Sequence, residues 1–188
     1  MNPAALRKEL GDLRPNGVVI VNTDEFNDRN FTRAGYTSNP LEDGSLGGFR
    51  VFQVALTTMT RRTLEGSELT VKEKDRSKNL FALGMCYWLF SRSLEPTVKW
   101  LEKKFGKLPE IAQANVQVLQ AGWNYCDITQ VFQTRYEIEP AKLEPGTYRS
   151  IMGNQALAMG LVAASKQSGL PLFLGAYPIT PASDLLHE

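Results

Sequence analysis

The chain has 188 residues, of which 43% are hydrophobic and 22% charged, a composition that indicates a packed core and excludes wholesale disorder. Lysine and arginine number 21 against 20 for aspartate and glutamate, and this net charge of +1 excludes the electrostatic footprint of a nucleic-acid or anionic-membrane binder. Two distant cysteines, Cys86 and Cys126, and a single histidine, His187, are too few to ligate an iron–sulfur cluster or a tetrahedral zinc ion.

The first third of the chain predicts helices alternating with strands. Asn2 as N-cap, with Pro3 at the first helical position, predicts an N-terminal helix that ends before residues 15–17. The β-branched run 18–21 predicts a buried parallel strand. Further predicted elements are a short helix within 24–34, a strand at 49–56, and a helix at 57–64 capped by Thr57 or Thr58. This order predicts an α/β fold with a parallel sheet, whose opening strand we expect to be missing.

The middle of the chain predicts three helices. Ser77 can cap the first, which continues through residues 80–90 and is apolar on nearly every face, as expected of a core helix. Glu95-Pro96 opens the second, which Gly106 ends, and Pro109-Glu110 opens the third. The mixed charges of residues 72–78 indicate a solvated helix entry.

The Pro, Gly and charged residues of 136–150 predict a linker between a first domain, 1–135, and a second, 151–188. Gly153-Asn154 should cap a helix rich in small residues that ends at Gly169. A short strand at 170–176 and a turn into a new helix at Ala182 should follow. Since one helix and one strand cannot close an α/β domain, we expect the chain to be a piece of a larger protein.

The expected cellular compartment is inferred from three features that the sequence does not contain. The N-terminal residues lack the apolar core of a signal peptide. The longest apolar run, residues 80–90, is shorter than the roughly 20 residues of a membrane span. No CxxC pair is present. We therefore expect a soluble, cytoplasmic protein with two buried free thiols.

The most informative stretch is the turn that precedes the last predicted helix. Thr180-Pro181 is an N-cap and first-turn pair. A helix that directly follows a strand presents free N–H groups at the carboxyl edge of the sheet, where open α/β folds bind ligands and where an anion is favoured. The Thr180 hydroxyl could cap its helix, contact a ligand or alternate between the two, although many such turns bind nothing. A phosphate-binding turn should follow a strand and open a helix. The glycine-rich loop at 44–48 does neither, so it is not predicted to be such a turn.

Two stretches of the chain resemble a known enzyme family. GAYPITPAS (residues 175–183) looks like the YPITP motif of the pyrimidine-side thiamine domain of 2-oxoacid:ferredoxin oxidoreductases, and GNQALAMG (153–160) is similar to the helix that begins that domain. The preceding part resembles the family's gamma domain, as fused at the front of alpha subunits of the 2-oxoglutarate (KorA) type. The segments that carry this likeness are NPLEDGSL (39–46), RSKNLFALG (76–84), EPTVKWLEKKF (95–105) and PEIAQANVQVLQAGW (109–123).

The resemblance implies an enzyme subunit that decarboxylates a 2-oxoacid, with the electrons passing to ferredoxin and the acyl group to coenzyme A. Thiamine diphosphate with magnesium and the iron–sulfur clusters would belong mainly to a partner beta subunit, with none bound to this chain alone. Thr180 would be the catalytic residue, lining the pocket near the oxoacid. The implied substrate-binding residues are Tyr177, Pro178, Ile179, Thr180, Pro181 and Ser183.

Two departures from the family pattern bear on activity. The glycine-rich turn that begins the gamma domain is missing ahead of Met1, and the glutamate that pairs with the thiamine aminopyrimidine should lie after Glu188. We therefore expect this piece to be inert by itself. The alternatives from the residues are a non-catalytic assembly module and a small-ligand-binding α/β protein with a coincidental turn.

Overall fold

The computed structural model describes residues 1–175, 177, 179–180 and 182–186. The chain divides into two compact units, Met1–Glu139 and Pro140–Glu188. The boundary between them falls within the segment predicted as a linker. That the units correspond to the two predicted domains, 1–135 and 151–188, stays a prediction.

The first unit opens with the predicted helix and strands. In α1 (Pro3–Glu9) the Asn2 side chain accepts a hydrogen bond of 2.8 Å from the Ala5 amide, as expected of its N-cap. The strands β1 (Val18–Asn22) and β2 (Arg50–Val54) pair in parallel, with Val18 opposite Arg50. The connection contains α2 (Asp28–Ala34). The predicted α/β class with a parallel sheet is thereby confirmed.

The predicted cap of the next helix is wrong. Helix α3 (Leu56–Thr63) begins before Thr57 and Thr58, and its N-cap residue, Ala55, has no capping side chain. The Leu56 amide instead donates to Asn22 Oδ1 at 2.9 Å, and the Thr58 amide donates to Asp24 Oδ2 at 2.9 Å. Asn22 is the last residue of β1 and Asp24 follows it. Because both acceptors lie far from α3 in sequence, the local pattern around α3 gives no sign of them.

The middle of the first unit contains one helix more than predicted and a different role for Ser77. The charged residues form α4 (Val71–Arg76), which Thr70 and Glu73 open with a capping box. Ser77 precedes α5 (Lys78–Leu89) but makes no side-chain cap, since its hydroxyl donates to Asn115 Oδ1 at 2.9 Å. The helices α6 (Glu95–Lys104) and α7 (Pro109–Thr129) begin at the predicted residues.

The sheet lies between two apolar clusters, because successive strand residues point to opposite faces. On one face, Val18, Ile20 and Phe52 pack against a core that includes Phe81, Met85 and Trp88 of α5 and Val118 of α7. On the other, Val19 and Val21 pack with Leu6 of α1 and Leu46. The two faces of β1 are thus both covered, as the continuous apolar run of that strand predicts.

The described residues of the second unit do not form the predicted strand, whose last residue, 176, lies outside them. Helix α8 (Gly153–Ser168) begins one residue after its N-cap Met152, so Gly153 and Asn154 lie inside the helix, and it ends at the left-handed Gly169 as predicted. Residues 170–175 form no strand, and none of the described residues offers them a neighbouring strand to pair with. A strand needs such a partner for its backbone groups, which explains why the apolar segment stays irregular. The predicted last helix is a short 3₁₀-helix, Ala182–Leu186.

Candidate functional site

The predicted substrate turn is an exposed loop at the end of the second unit. The Tyr177 and Ile179 side chains are 82% and 60% exposed, Thr180 is exposed, and Ser183 is half-buried. The Ile179 amide donates to the Tyr177 carbonyl at 2.7 Å, and the Ser183 amide donates to the Ile179 carbonyl at 3.3 Å. These bonds bring four of the predicted residues into one turn. Pro178 and Pro181 lie outside the described residues.

A cavity of about 690 Å³ lies next to this turn, between α8 and the segment that follows it. Its walls are apolar, contributed by Met159 and Val162 of α8, by Leu172 and Phe173, and by Leu185 of the 3₁₀-helix. Lys166 is the charged residue among its described lining residues. Within the described part of the chain, Tyr177, Ile179, Thr180 and Ser183 do not line this cavity, so turn and cavity are adjacent but distinct surfaces.

The chemistry available at the turn is that of neutral hydrogen-bonding groups. A threonine hydroxyl donates one hydrogen bond and accepts others, and it can orient a carboxylate or a keto oxygen without exchanging a proton at neutral pH. The 3₁₀-helix behind it has five residues, which is short for the anion site expected from a full helix N-terminus. The cavity walls suit an apolar or aromatic ring.

The described residues do not supply a metal site. No three histidine, cysteine, aspartate or glutamate side chains come together in the part of the chain that the structure describes. The hard oxygen ligands that magnesium requires, and the thiolates that an iron–sulfur cluster requires, are therefore not assembled by these residues.

The carboxyl edge of the β1–β2 sheet is closed by the protein's own side chains. Asn22, which is 5% exposed, donates from Nδ2 to Thr57 Oγ1 at 3.0 Å while its Oδ1 accepts from the Leu56 amide. Asp24 accepts from both the amide and the hydroxyl of Thr58. Open α/β sheets bind ligands at this edge, but in this unit the side chains at the edge cap the start of α3.

The two cysteines differ from the prediction that both are buried. Cys126 is fully buried, and burial raises the pKa of its thiol to about 12, so it is unreactive at neutral pH. Cys86 is half-buried, and burial likewise raises its pKa. Both thiols are free, as predicted.

One polar cavity of the first unit has no counterpart among the predicted sites. Arg92 and Arg135 line it together with Ser91 and Trp123. The two arginines lie in irregular segments far apart in the chain, and neither segment carries a motif, so only the fold brings them together.

None of the described helices has the length and hydropathy needed to cross a membrane.

Comparison with known proteins identifies the family. Residues 1–125, about two thirds of the chain, match the pyruvate ferredoxin/flavodoxin oxidoreductase family. The chain is 53% identical over all 188 residues to "2-oxoglutarate oxidoreductase subunit KorA" of Mycobacterium tuberculosis, of which it spans 29%. It is 24% identical over 135 residues, 72% of the chain, to "2-oxoacid:ferredoxin oxidoreductase 1, subunit alpha" of Aeropyrum pernix, of which it spans 20%. The expected resemblance is confirmed: the chain belongs to the pyruvate ferredoxin/flavodoxin oxidoreductase family.

Proposed function

We propose that this chain is part of the alpha subunit of a 2-oxoacid:ferredoxin oxidoreductase that acts on 2-oxoglutarate. The observation that carries the proposal is the 53% identity along the whole chain to a relative whose name specifies that substrate. The matched region covers all 188 residues and therefore includes both units. The alternative hypothesis, that the chain is a non-catalytic assembly or ligand-binding module, has no comparable support.

The reaction we propose is oxidative decarboxylation of the 2-oxoacid, with the acyl group passing to coenzyme A and the electrons to ferredoxin. Thiamine diphosphate supplies the carbanion chemistry when bound, as is general for this cofactor. On the family resemblance we assign the magnesium ion and the iron–sulfur clusters mainly to a partner beta subunit. The described residues of this chain do not assemble an oxygen or thiolate ligand set for them. Free thiols in the first unit suit a cytoplasmic location.

The residues of this chain that we assign to the substrate belong to the turn before the last 3₁₀-helix. Thr180 is proposed to hydrogen-bond the oxoacid, with Tyr177, Ile179 and Ser183 shaping the loop and Pro178 and Pro181 restricting its backbone. The exposure of Tyr177 and Ile179 supports this role, because both side chains are available for contacts outside the described chain.

The test is an assay of viologen reduction by the complete alpha subunit coexpressed with its beta partner. We expect 2-oxoglutarate to be used in preference to pyruvate. Thr180→Val keeps the shape of the side chain and removes its hydroxyl, so kcat/KM should fall by about tenfold or more, whereas Thr180→Ser should retain most of the activity.

Preference for pyruvate would contradict the substrate assignment, and equal activity of Thr180→Val and the unchanged enzyme would contradict the role of Thr180. The 188-residue chain assayed without partners should show no turnover with either substrate, and measurable turnover by it would overturn the assignment of the cofactor to the beta subunit.

A further inference from the structure

The polar cavity near the ends of α5 and α7 has a volume of about 590 Å³. It lies within the first unit, and the residues that determine its chemistry are Ser91, Arg92, Ser93, Trp123, Asn124 and Arg135. With Gln120, which also lines it, the cavity combines two guanidinium groups, two hydroxyl groups, two carboxamides and one aromatic ring.

The backbone that carries Arg92 is held by the end of α5. The Arg92 amide donates to the Tyr87 carbonyl at 2.8 Å, and the Ser91 amide donates to the Trp88 carbonyl at 3.2 Å, which are the two bonds of a Schellman motif. Ser91 takes the left-handed position of that motif with φ of 50°, where glycine is usual. These hydrogen bonds at the end of α5 therefore fix the backbone from which the Arg92 side chain extends.

Two contacts with Trp88 orient the Arg135 side chain. Its guanidinium carbon lies 4.7 Å from the centre of the Trp88 ring, and its Nε donates to the Trp88 carbonyl at 3.1 Å. These contacts orient the guanidinium plane and use one of its five N–H donors. The terminal nitrogens remain for a ligand, which is the arrangement that favours bidentate binding of an oxyanion.

No carboxylate neutralises this pair within the described part of the chain. The described residues that line the cavity include no aspartate or glutamate, and no ion pair of Arg92 or Arg135 is formed. Two nearby acids are engaged elsewhere, since Asp127 accepts from Trp88 Nε1 at 3.1 Å and Glu95 pairs with Lys99 at 2.6 Å. Glu137, two residues after Arg135, is exposed and is not among the described residues that line the cavity. Two like charges that share one cavity repel, and an anion between them relieves that repulsion.

We propose that this cavity binds the phosphoryl group of a small phosphorylated molecule, with Arg92 and Arg135 as its ligands. A phosphate monoester carries a charge of about −1.5 to −2 at neutral pH and several acceptor oxygens, so it matches two guanidinium groups better than a single carboxylate does. The cavity is larger than a phosphate, and Trp123 provides a flat wall for an adjoining ring. The site is separate from the Thr180 turn and does not rest on the proposed function.

Isothermal titration calorimetry of the 188-residue chain at low ionic strength tests the proposal. The probes are phenyl phosphate, which joins a phosphate dianion to a planar ring, inorganic phosphate, and benzoate as a carboxylate of similar shape. We expect saturable one-to-one binding of phenyl phosphate, weaker binding of inorganic phosphate and no saturation by benzoate. Arg92→Gln should weaken phenyl phosphate binding by about tenfold or more, because it removes a charge-assisted contact.

Two further variants separate a specific site from general electrostatic attraction. Arg29→Gln removes one exposed positive charge of α2, away from the cavity, and should leave the affinity unchanged. Arg135→Lys keeps the charge and loses the planar fork, so it should also weaken binding, with circular dichroism as the check on folding.

The absence of saturable phenyl phosphate binding, an equal loss in Arg29→Gln and Arg92→Gln, or equal affinity for benzoate would each overturn the proposal.

Discussion

At the scale of single residues, Asn22 connects a strand end to the start of the next helix. Its buried carboxamide satisfies the Leu56 amide and the Thr57 hydroxyl at once. A helix N-terminus leaves amide groups without intrahelical partners, and a buried amide without a partner is costly. The side chain therefore replaces the local cap that α3 lacks.

The first prediction is that Asn22→Ala lowers the free energy of unfolding by about 1–3 kcal/mol, because it leaves the buried Leu56 amide without its acceptor. Urea unfolding followed by circular dichroism measures the change. Asn124→Ala, at an exposed position of α7, is the matched control and should change stability by less than about 0.5 kcal/mol. Equal effects of the two substitutions would contradict the capping role.

At the scale of elements, the closest packing is between α5 and α7. An added Cβ at Gly122 would lie 2.0 Å from the Phe81 carbonyl oxygen, and one at Gly84 would lie 2.1 Å from the Leu119 carbonyl oxygen. Each glycine faces the backbone of the other helix, which cannot move aside as a side chain can. The two glycines let the helices approach closely enough to build the core around Phe81 and Met85.

The second prediction is that Gly122→Ala lowers the free energy of unfolding by about 1–3 kcal/mol or more, although alanine is the better helix former. The physical reason is that the methyl group forces the two helices apart. Gly11→Ala is the control, because a Cβ there meets no atom within 4 Å. Thermal unfolding should show a lower Tm for Gly122→Ala and little change for Gly11→Ala, and an unchanged Tm for Gly122→Ala would refute the close contact.

Helices α3 and α4 are joined by an ion pair whose effect depends on pH. Arg61 Nε and Asp75 Oδ1 are 2.7 Å apart, and the hydrogen bond from Arg61 holds the pKa of Asp75 below its usual range. Since the pKa is lower in the folded state, the pair stabilises the fold above the ordinary aspartate pKa of about 3.9. That stabilisation is lost as the pH falls through the lowered pKa.

The third prediction is that Arg61→Gln raises the pKa of Asp75 toward its ordinary value, as measured by titration of the side-chain carboxyl signal in NMR spectra. The stability difference between the variant and the unchanged chain should shrink as the pH falls below about 4. Arg62→Gln, at the exposed neighbouring position, should leave the titration of Asp75 where it was. A difference in stability that persists undiminished in acid would show that the charge of Asp75 is not its source.

At the scale of the whole molecule, the two units differ in how they bury apolar surface. The first encloses its sheet between two apolar clusters. The second consists of α8, an irregular apolar segment and a 3₁₀-helix, and Leu157, Leu170 and Phe173 remain 50%, 67% and 92% exposed. Because burial of apolar surface is the main stabilising term, we expect the second unit to be the weaker of the two.

The fourth prediction concerns limited proteolysis of the 188-residue chain. Trypsin should cut first after Lys142 or Arg149, which lie in the exposed irregular segment before α8, and the fragment ending there should persist. The second unit should be degraded faster than the first, with mass spectrometry identifying the fragments over time. Persistence of an intact fragment from 150 onward after the first unit has been digested would reverse the expected order of stability.

The elements that the sequence predicted well are those whose signals are local. The start of α1 depends on Asn2 and Pro3, the starts of α6 and α7 depend on Glu95-Pro96 and Pro109-Glu110, and the burial of β1 follows from its β-branched run. Capping residues and apolar periodicity depend on residues that are close together in the sequence, so they can be recognised without knowledge of the fold. The Tyr177 turn was likewise found by its motif, although its role in binding stays a prediction.

The sequence by itself thus determined the α/β class, most helix starts and, through recognisable motifs, the family. The tertiary structure decided which side chains meet: Asn22 with Leu56, Ser77 with Asn115, and Arg92 with Arg135 in one cavity. It also decided that residues 170–175 form no strand, despite their apolar run, since a strand exists only where another strand satisfies its backbone. The physical reason is the same in each case: these interactions join residues that are far apart in the chain, and their partners are selected only when the fold forms.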